Sequence, residues 1–72
     1  MNESLKNNVI TKMMEQGMRF AAMDYDNKWY GFQNRPDWVD GTWDVKDGDF
    51  VKLKVPFHDR VDNRESLICL GA

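Results

Sequence analysis

Three residue types in this chain could do chemistry, and each lacks the companions that chemistry needs. His58 stands beside Asp59, an adjacency that could orient an imidazole for general-base work. A hydrolytic site would also need a nucleophile and an oxyanion-binding pair, and Ser66 and Thr42 lie in no nucleophile-elbow motif. The single cysteine, Cys69, falls in the apolar run 66 to 70, where a buried and inert thiol is expected. One cysteine and one histidine cannot close a four-ligand zinc site. Asp44, Asp47 and Asp49 surround Gly48 like a fragment of a calcium loop, but they lack its spacing and its bidentate glutamate, so they read as turn residues. No glycine-rich phosphate loop is present. These residues predict a protein that is not an enzyme and takes neither metal nor cofactor.

Binding chemistry is better represented. Residues 24 to 49 carry seven aspartates against Lys28, Arg35 and Lys46, although the whole chain has a formal net charge of only -2. Such a field repels phosphates and favours a basic protein surface. The same stretch holds all three tryptophans. Trp29, with Met23, is expected on the sheet face turned away from the helix, and Trp38 in an irregular connection beside Asp37 and Asp40. Exposed tryptophan and methionine with a charged rim have the composition of an interaction hot spot. The expected partner-binding set is therefore Met23, Trp29, Asp37, Trp38, Asp40 and Asp44. Single-stranded nucleic acid is the alternative ligand: Trp29 and Tyr30 could stack bases while Lys52, Lys54, Arg60 and Arg64 meet phosphates. That basic footprint is weak beside the acidic middle, and nucleic-acid binding is not the expectation.

At 72 residues the chain has room for a single domain spanning 1–72, with a core so small that efficient packing or a partner must support it. A homodimer would provide such support. A hydrophobic fraction of 42% is too high for a disordered acidic chain, and 31% charged residues favour solubility. The lone cysteine predicts a reducing compartment. No apolar run approaches the roughly 18 residues of a membrane span, and the start Met1-Asn2-Glu3-Ser4 carries no basic region followed by an apolar one. The expectation is a cytoplasmic protein that does not contact a membrane.

The elements that must position these residues follow from periodicity. Leu5, Val9, Ile10, Met13 and Met14 recur at helical spacing, which predicts an amphipathic helix over 4 to 16, capped by Asn2 or Ser4 and ended by Gly17. From Met18 to Gln33 the period becomes two. This predicts a hairpin closed by Tyr25-Asp26-Asn27, with Asn27 at positive φ and Phe20, Ala22, Tyr30 and Phe32 on the helix-facing side. A second hairpin is expected across the three-residue loop Lys46-Asp47-Gly48, with Gly48 left-handed and Trp43, Val45, Val51 and Leu53 all on one face. Val55, Pro56 and Phe57 should end that strand, His58 to Arg64 should form a loop, and 66 to 70 should return beside 50 to 55. The predicted fold is α+β: an N-terminal helix packed on a four- to five-stranded antiparallel β-meander in two layers.

The run Phe20-Ala21-Ala22-Met23-Asp24-Tyr25-Asp26-Asn27-Lys28-Trp29-Tyr30-Gly31-Phe32, followed by Arg35-Pro36, Trp43 and Arg64-Glu65-Ser66-Leu67-Ile68, resembles small uncharacterised bacteriophage and prophage proteins. These open with a helix, continue through a strand, an aspartate-rich turn and an aromatic strand, and close on a Glu/Asp-Ser-Leu segment. The resemblance implies a phage-encoded accessory protein that binds a host factor in the host cytoplasm.

Overall fold

The computed structural model describes residues 3–55 and 62–70. Helix α1 runs Glu3–Glu15, so Ser4 lies inside it, and Leu5, Val9 and Met13 form its buried stripe. Ile10 packs at the margin of that stripe, whereas Met14, expected within it, is exposed. The helix ends as the glycine predicts. Gly17 takes φ 71°, the Met18 amide donates to the Met13 carbonyl at 2.9 Å, and the Gly17 amide donates to the Met14 carbonyl at 3.1 Å. These are the two bonds of a Schellman stop, and the Met18 side chain folds back onto the core beside Met13.

Strands β1 (Phe20–Met23) and β2 (Trp29–Phe32) form the first hairpin in the expected register, with Phe20 opposite Phe32 and Ala22 opposite Tyr30. Asn27 sits at φ 62°, and the Asn27 amide donates to the Asp24 carbonyl, closing the turn. The helix covers the other face from the one expected. The core it caps comprises Leu5, Val9, Met13, Ala21, Met23, Trp29, Leu53 and Ile68. A Cβ added at Gly31 would stand 2.9 Å from Met18 Cγ and 3.2 Å from Leu53 Cδ2. The bare glycine on this face is thus the recess into which the helix stop packs. Tyr30, by contrast, carries a hydroxyl that needs a polar partner and faces the other way.

The rest of the sheet departs from a meander. Strands β3 (Asp37–Val39) and β4 (Thr42–Asp44) form their own two-stranded ribbon, joined by Asp40-Gly41 at φ 51° and 82°. Two consecutive left-handed residues are the mark of a tight two-residue hairpin turn. The stretch expected to be irregular is therefore a hairpin, and the expected hairpin across Lys46-Asp47-Gly48 is a chain reversal that delivers β5 (Phe50–Lys52) to β2. Gly48 is left-handed there as predicted, at φ 88°. Strand β6 (Ile68–Cys69) pairs with β1, not with β5. The main sheet is four-stranded and antiparallel in the order β5-β2-β1-β6. The α+β class with an N-terminal helix on an antiparallel sheet holds. Pro56, Phe57, His58 and Asp59 lie outside the described residues. Among the described residues no helix is long and apolar enough to cross a membrane.

Candidate functional site

Because side chains alternate across a strand, the face away from α1 gathers Lys28, Tyr30 and Phe32 from β2 and its approach, and Phe50 and Lys52 from β5. The β3–β4 ribbon is fastened at this side by one carboxylate. Asp24, just past β1, accepts three bonds at Oδ1: from the Tyr25 amide at 2.9 Å, the Thr42 hydroxyl at 2.7 Å and the Trp43 amide at 3.2 Å. A second anchor comes from the 3-10 turn Asn63–Glu65. The Trp43 indole N–H donates to the Asn63 carbonyl at 2.8 Å, and the Asn63 side-chain amide donates to the Asp24 carbonyl at 3.0 Å. Ser66, fully buried, secures that turn to β1: its Oγ accepts from the Met23 amide at 2.8 Å and donates to the Asn63 carbonyl at 2.7 Å. Ser66 carries no catalytic motif, and its hydroxyl is consumed in this bracing.

The result is a pocket of about 240 Å³ lined by Asp24, Tyr30, Phe32, Trp43, Asp44, Val45 and Phe50. Its aromatic walls touch in an ordered way. Tyr30 and Phe50 meet edge to face at 6.5 Å, Phe32 and Phe50 lie tilted at 6.3 Å, and Trp38 and Trp43 form a T-shaped pair at 5.2 Å. Such pairs are worth about 0.5–1.5 kcal/mol beyond burial. Trp38 and Trp43 are directly opposite in the ribbon, one step out from the turn. In a two-residue hairpin that is the position without backbone bonds, where side chains approach most closely. The Tyr30 hydroxyl donates to Asp26 Oδ2 at 2.7 Å, which pins the ring. That bond, followed by burial and the nearby Asp26 and Asp24 charges, pushes the phenol up from its ordinary 10.0 to about 12.

Two charge features border the pocket. Asp37 and Asp44 stand directly opposite each other in the ribbon, both exposed, with Asp40 at its tip. Like charges in that relation repel, and among the described residues the ion pair found is Lys12–Glu15, far from them in sequence. Lys28, on the approach to β2, lies close enough to Lys52 of the edge strand β5 to lower the Lys52 pKa through direct contact and charge repulsion. Lys28, Lys52 and Lys54 also line a second cavity, of about 340 Å³, with Asp26, Trp29 and Leu53.

Of the residues expected to meet a partner, two are displaced. Trp29 is 1% exposed and Met23 is 1% exposed, both sealed under α1, so neither contributes to an outer surface. The inversion of faces is the reason. Asp37, Asp40 and Asp44 are exposed, and Trp38 is half-buried against Trp43. The structure brings Asp44 together with four aromatic residues, Tyr30, Phe32, Trp43 and Phe50; Phe32 is buried as expected of a core residue, whereas Tyr30 and Trp43, also expected in the core, are half-buried. Phe50 is 63% exposed. Cys69 is exposed rather than buried, and the Arg35 guanidinium points at its sulfur from 3.7 Å. Among the described residues no group of three or more acidic, histidine or cysteine side chains could hold a metal ion. No family model, curated protein or solved structure matches this chain.

Proposed function

We propose that the chain is a non-enzymatic accessory protein, of the phage-encoded kind its sequence resembles, that binds a basic host protein through the aromatic, acid-rimmed face of its sheet. The observation that carries this reading is the pocket of Tyr30, Phe32, Trp43 and Phe50 edged by Asp24 and Asp44. An exposed phenylalanine, Phe50, beside the half-buried rings of Tyr30 and Trp43, the buried ring of Phe32 and carboxylates has the make-up of a hot spot with a polar rim. The Asp37–Asp44 pair adds to it, because repulsion held across a ribbon costs folding stability and is offset only when a cation arrives from outside. Capture from a bacterial lysate by the wild type and by a triple Asp37→Lys, Asp40→Lys, Asp44→Lys variant tests the reading. Loss of the same basic protein from the variant is expected, and equal recovery by both overturns it.

One observation favours a second reading. Tyr30 and Phe50 share their sheet face with Lys28 and Lys52, which is the pairing of stacking platform and cations that single-stranded nucleic acid uses. This reading requires tryptophan or tyrosine quenching by an oligothymidylate that weakens steeply with salt. No quenching at low salt removes it.

A further inference from the structure

We propose that the pocket between Tyr30, Trp43 and Phe50 receives an arginine side chain of the partner, stacked on the rings and bonded to the carboxylates of Asp24 and Asp44. This inference rests on the partner-binding reading above and specifies the group recognised. Three features of the pocket lead to it.

The first is size. At about 240 Å³ the pocket falls below the roughly 300–1,000 Å³ of small-molecule sites and suits one inserted side chain. The second is charge. All three bonds that Asp24 accepts through its carboxylate end on Oδ1, from Tyr25, Thr42 and Trp43, and no described donor reaches Oδ2. The carboxylate is therefore held in place by its own fold while half of its accepting capacity remains directed elsewhere. Asp44, on the same pocket, faces another aspartate across the ribbon and no cation among the described residues. Asp26 is different, since its Oδ2 is already occupied by the Tyr30 hydroxyl. An apolar occupant would strip water from Asp24 and Asp44 and return nothing, and an anion would be repelled.

The third feature is the walls. Aromatic faces carry negative quadrupole charge and attract cations within about 6 Å of the ring centre. These rings are set in advance: Tyr30 by Asp26, Trp43 by the Asn63 carbonyl and its T-shaped contact with Trp38, Phe50 by its contacts with Tyr30 and Phe32. Little ordering cost remains for binding. Aromatic faces and carboxylates together select guanidinium over other cations. It is planar and weakly hydrated, it stacks, and its fork of N–H donors bonds a carboxylate while stacked. An ammonium is more strongly hydrated and compact, and a quaternary ammonium has no donor for the two aspartates.

The test uses three five-residue peptides, Gly-Ser-X-Ser-Gly, with X arginine, lysine or citrulline, the last being arginine's neutral near-isostere. Each is titrated into the full chain while the Trp43 indole N–H resonance is followed. The arginine peptide is expected to displace that resonance saturably and to bind about tenfold tighter than either of the others, a ratio equal to about 1.4 kcal/mol. Phe50→Ala and Asp44→Asn, both at exposed positions that leave the core intact, are expected to weaken arginine binding at least about tenfold and to leave the unfolding transition in place. Equal binding of the citrulline or lysine peptide, or a Trp43 resonance that none of the peptides moves, overturns the proposal. If the arginine peptide fails while the triple aspartate-to-lysine variant still loses its lysate partner, the arginine site falls and the partner-binding reading stands. If the peptide binds as expected and lysate capture ignores the charge reversal, the arginine site is upheld and the protein-partner reading is what falls.

Discussion

The two faces of the main sheet are held by different physics. Under α1, Val9, Met13, Met23 and Trp29 are sealed from solvent, and stability there comes from apolar area removed from water. Across the sheet, the β3–β4 ribbon stays in place through hydrogen bonds at Asp24, Trp43 and Asn63, and its rings remain partly wet. The first face is closed by fit and can be read as the folding core. The second buries Ala22 and Phe32 but leaves Tyr30 and Trp43 half-buried and Phe50 exposed, so it is preorganised without being fully covered, which is what a contact surface requires. Even the imperfections differ: the Trp29 indole N–H is buried with no partner among the described residues, a cost internal to the core, whereas the Asp37–Asp44 repulsion sits where an outside cation could relieve it.

The sharpest way to break this contrast is at Trp29. Trp29→Ala should cost about 3–5 kcal/mol, typical of truncating a buried tryptophan. A 72-residue domain has a total stability of roughly 4–11 kcal/mol, so the variant should lose most of its cooperative urea transition. Trp29→Phe should cost distinctly less, because it removes the orphaned N–H along with the volume. Phe50→Ala, on the other face, should shift the midpoint little, since the ring is 63% exposed. If Phe50→Ala proved as damaging as Trp29→Ala in urea unfolding, the division into core face and contact face would collapse.

Next in size is Ser66→Ala, predicted to cost about 1–3 kcal/mol, because the buried Met23 amide would lose its acceptor. The loss should appear locally too. Hydrogen exchange at Met23 and at the Trp43 indole should accelerate, since the Asn63–Glu65 turn that holds Trp43 is itself tied down by this serine. Unchanged exchange at both sites would show that the ribbon does not depend on this brace.

The helix and the first hairpin were legible because their signals are local and repeated. Leu5, Val9 and Met13 recur over three turns, Gly17 marks the stop, and Asp26-Asn27 supplies the turn chemistry that fixes the register of Phe20 with Phe32. Which face of that hairpin meets the helix was not legible. Alternation groups Phe20, Ala22, Tyr30 and Phe32 together, but it is silent on whether that group or its complement lies inward, and both groups here are apolar. Gly31 was the available clue: a bare position between large neighbours marks where another element approaches closely. The ribbon was missed because two Asp-Gly dipeptides compete, at 40–41 and 47–48, and only the second aligns four apolar residues. Three-residue strands such as Asp37–Val39 are too short to show a period of two. The pairing of β5 with β2 and of β6 with β1 is non-local, so nothing in neighbouring residues encodes it. The pocket inherits these gaps, since it exists only once Phe50 and Trp43 are carried to Tyr30 by contacts distant in sequence.

A smaller effect separates stability from binding within the ribbon. Asp44→Lys places a cation directly opposite Asp37 and should stabilise the chain by about 0.2–1 kcal/mol, since it exchanges cross-strand repulsion for attraction. The same change removes one carboxylate from the pocket and should abolish preference for a basic partner. Higher melting temperature with weaker capture is the expected combination. A variant that is both less stable and equally competent would mean that the two aspartates neither strain the ribbon nor serve the surface.

The smallest expected effect on stability is a pH dependence, and it reports on whether the pocket wall is preset. The Tyr30 phenol is pushed up to about 12 by its bond to Asp26, with burial and the surrounding aspartate charge adding to it. The folded chain therefore holds this proton more tightly than the unfolded one, whose phenol titrates near 10. Whatever the bond contributes is fully present below pH 10 and is lost as pH rises through about 12, because the unfolded state releases its proton first. The ring is partly exposed, so solvent screening keeps the change in folding stability slight, and the phenolate absorbance is the better readout. Asp26→Asn should bring the Tyr30 transition down toward 10, while urea unfolding at neutral pH changes little. A transition that stays near 12 in the variant would show that burial rather than Asp26 holds the ring, and the wall would then be set by packing alone.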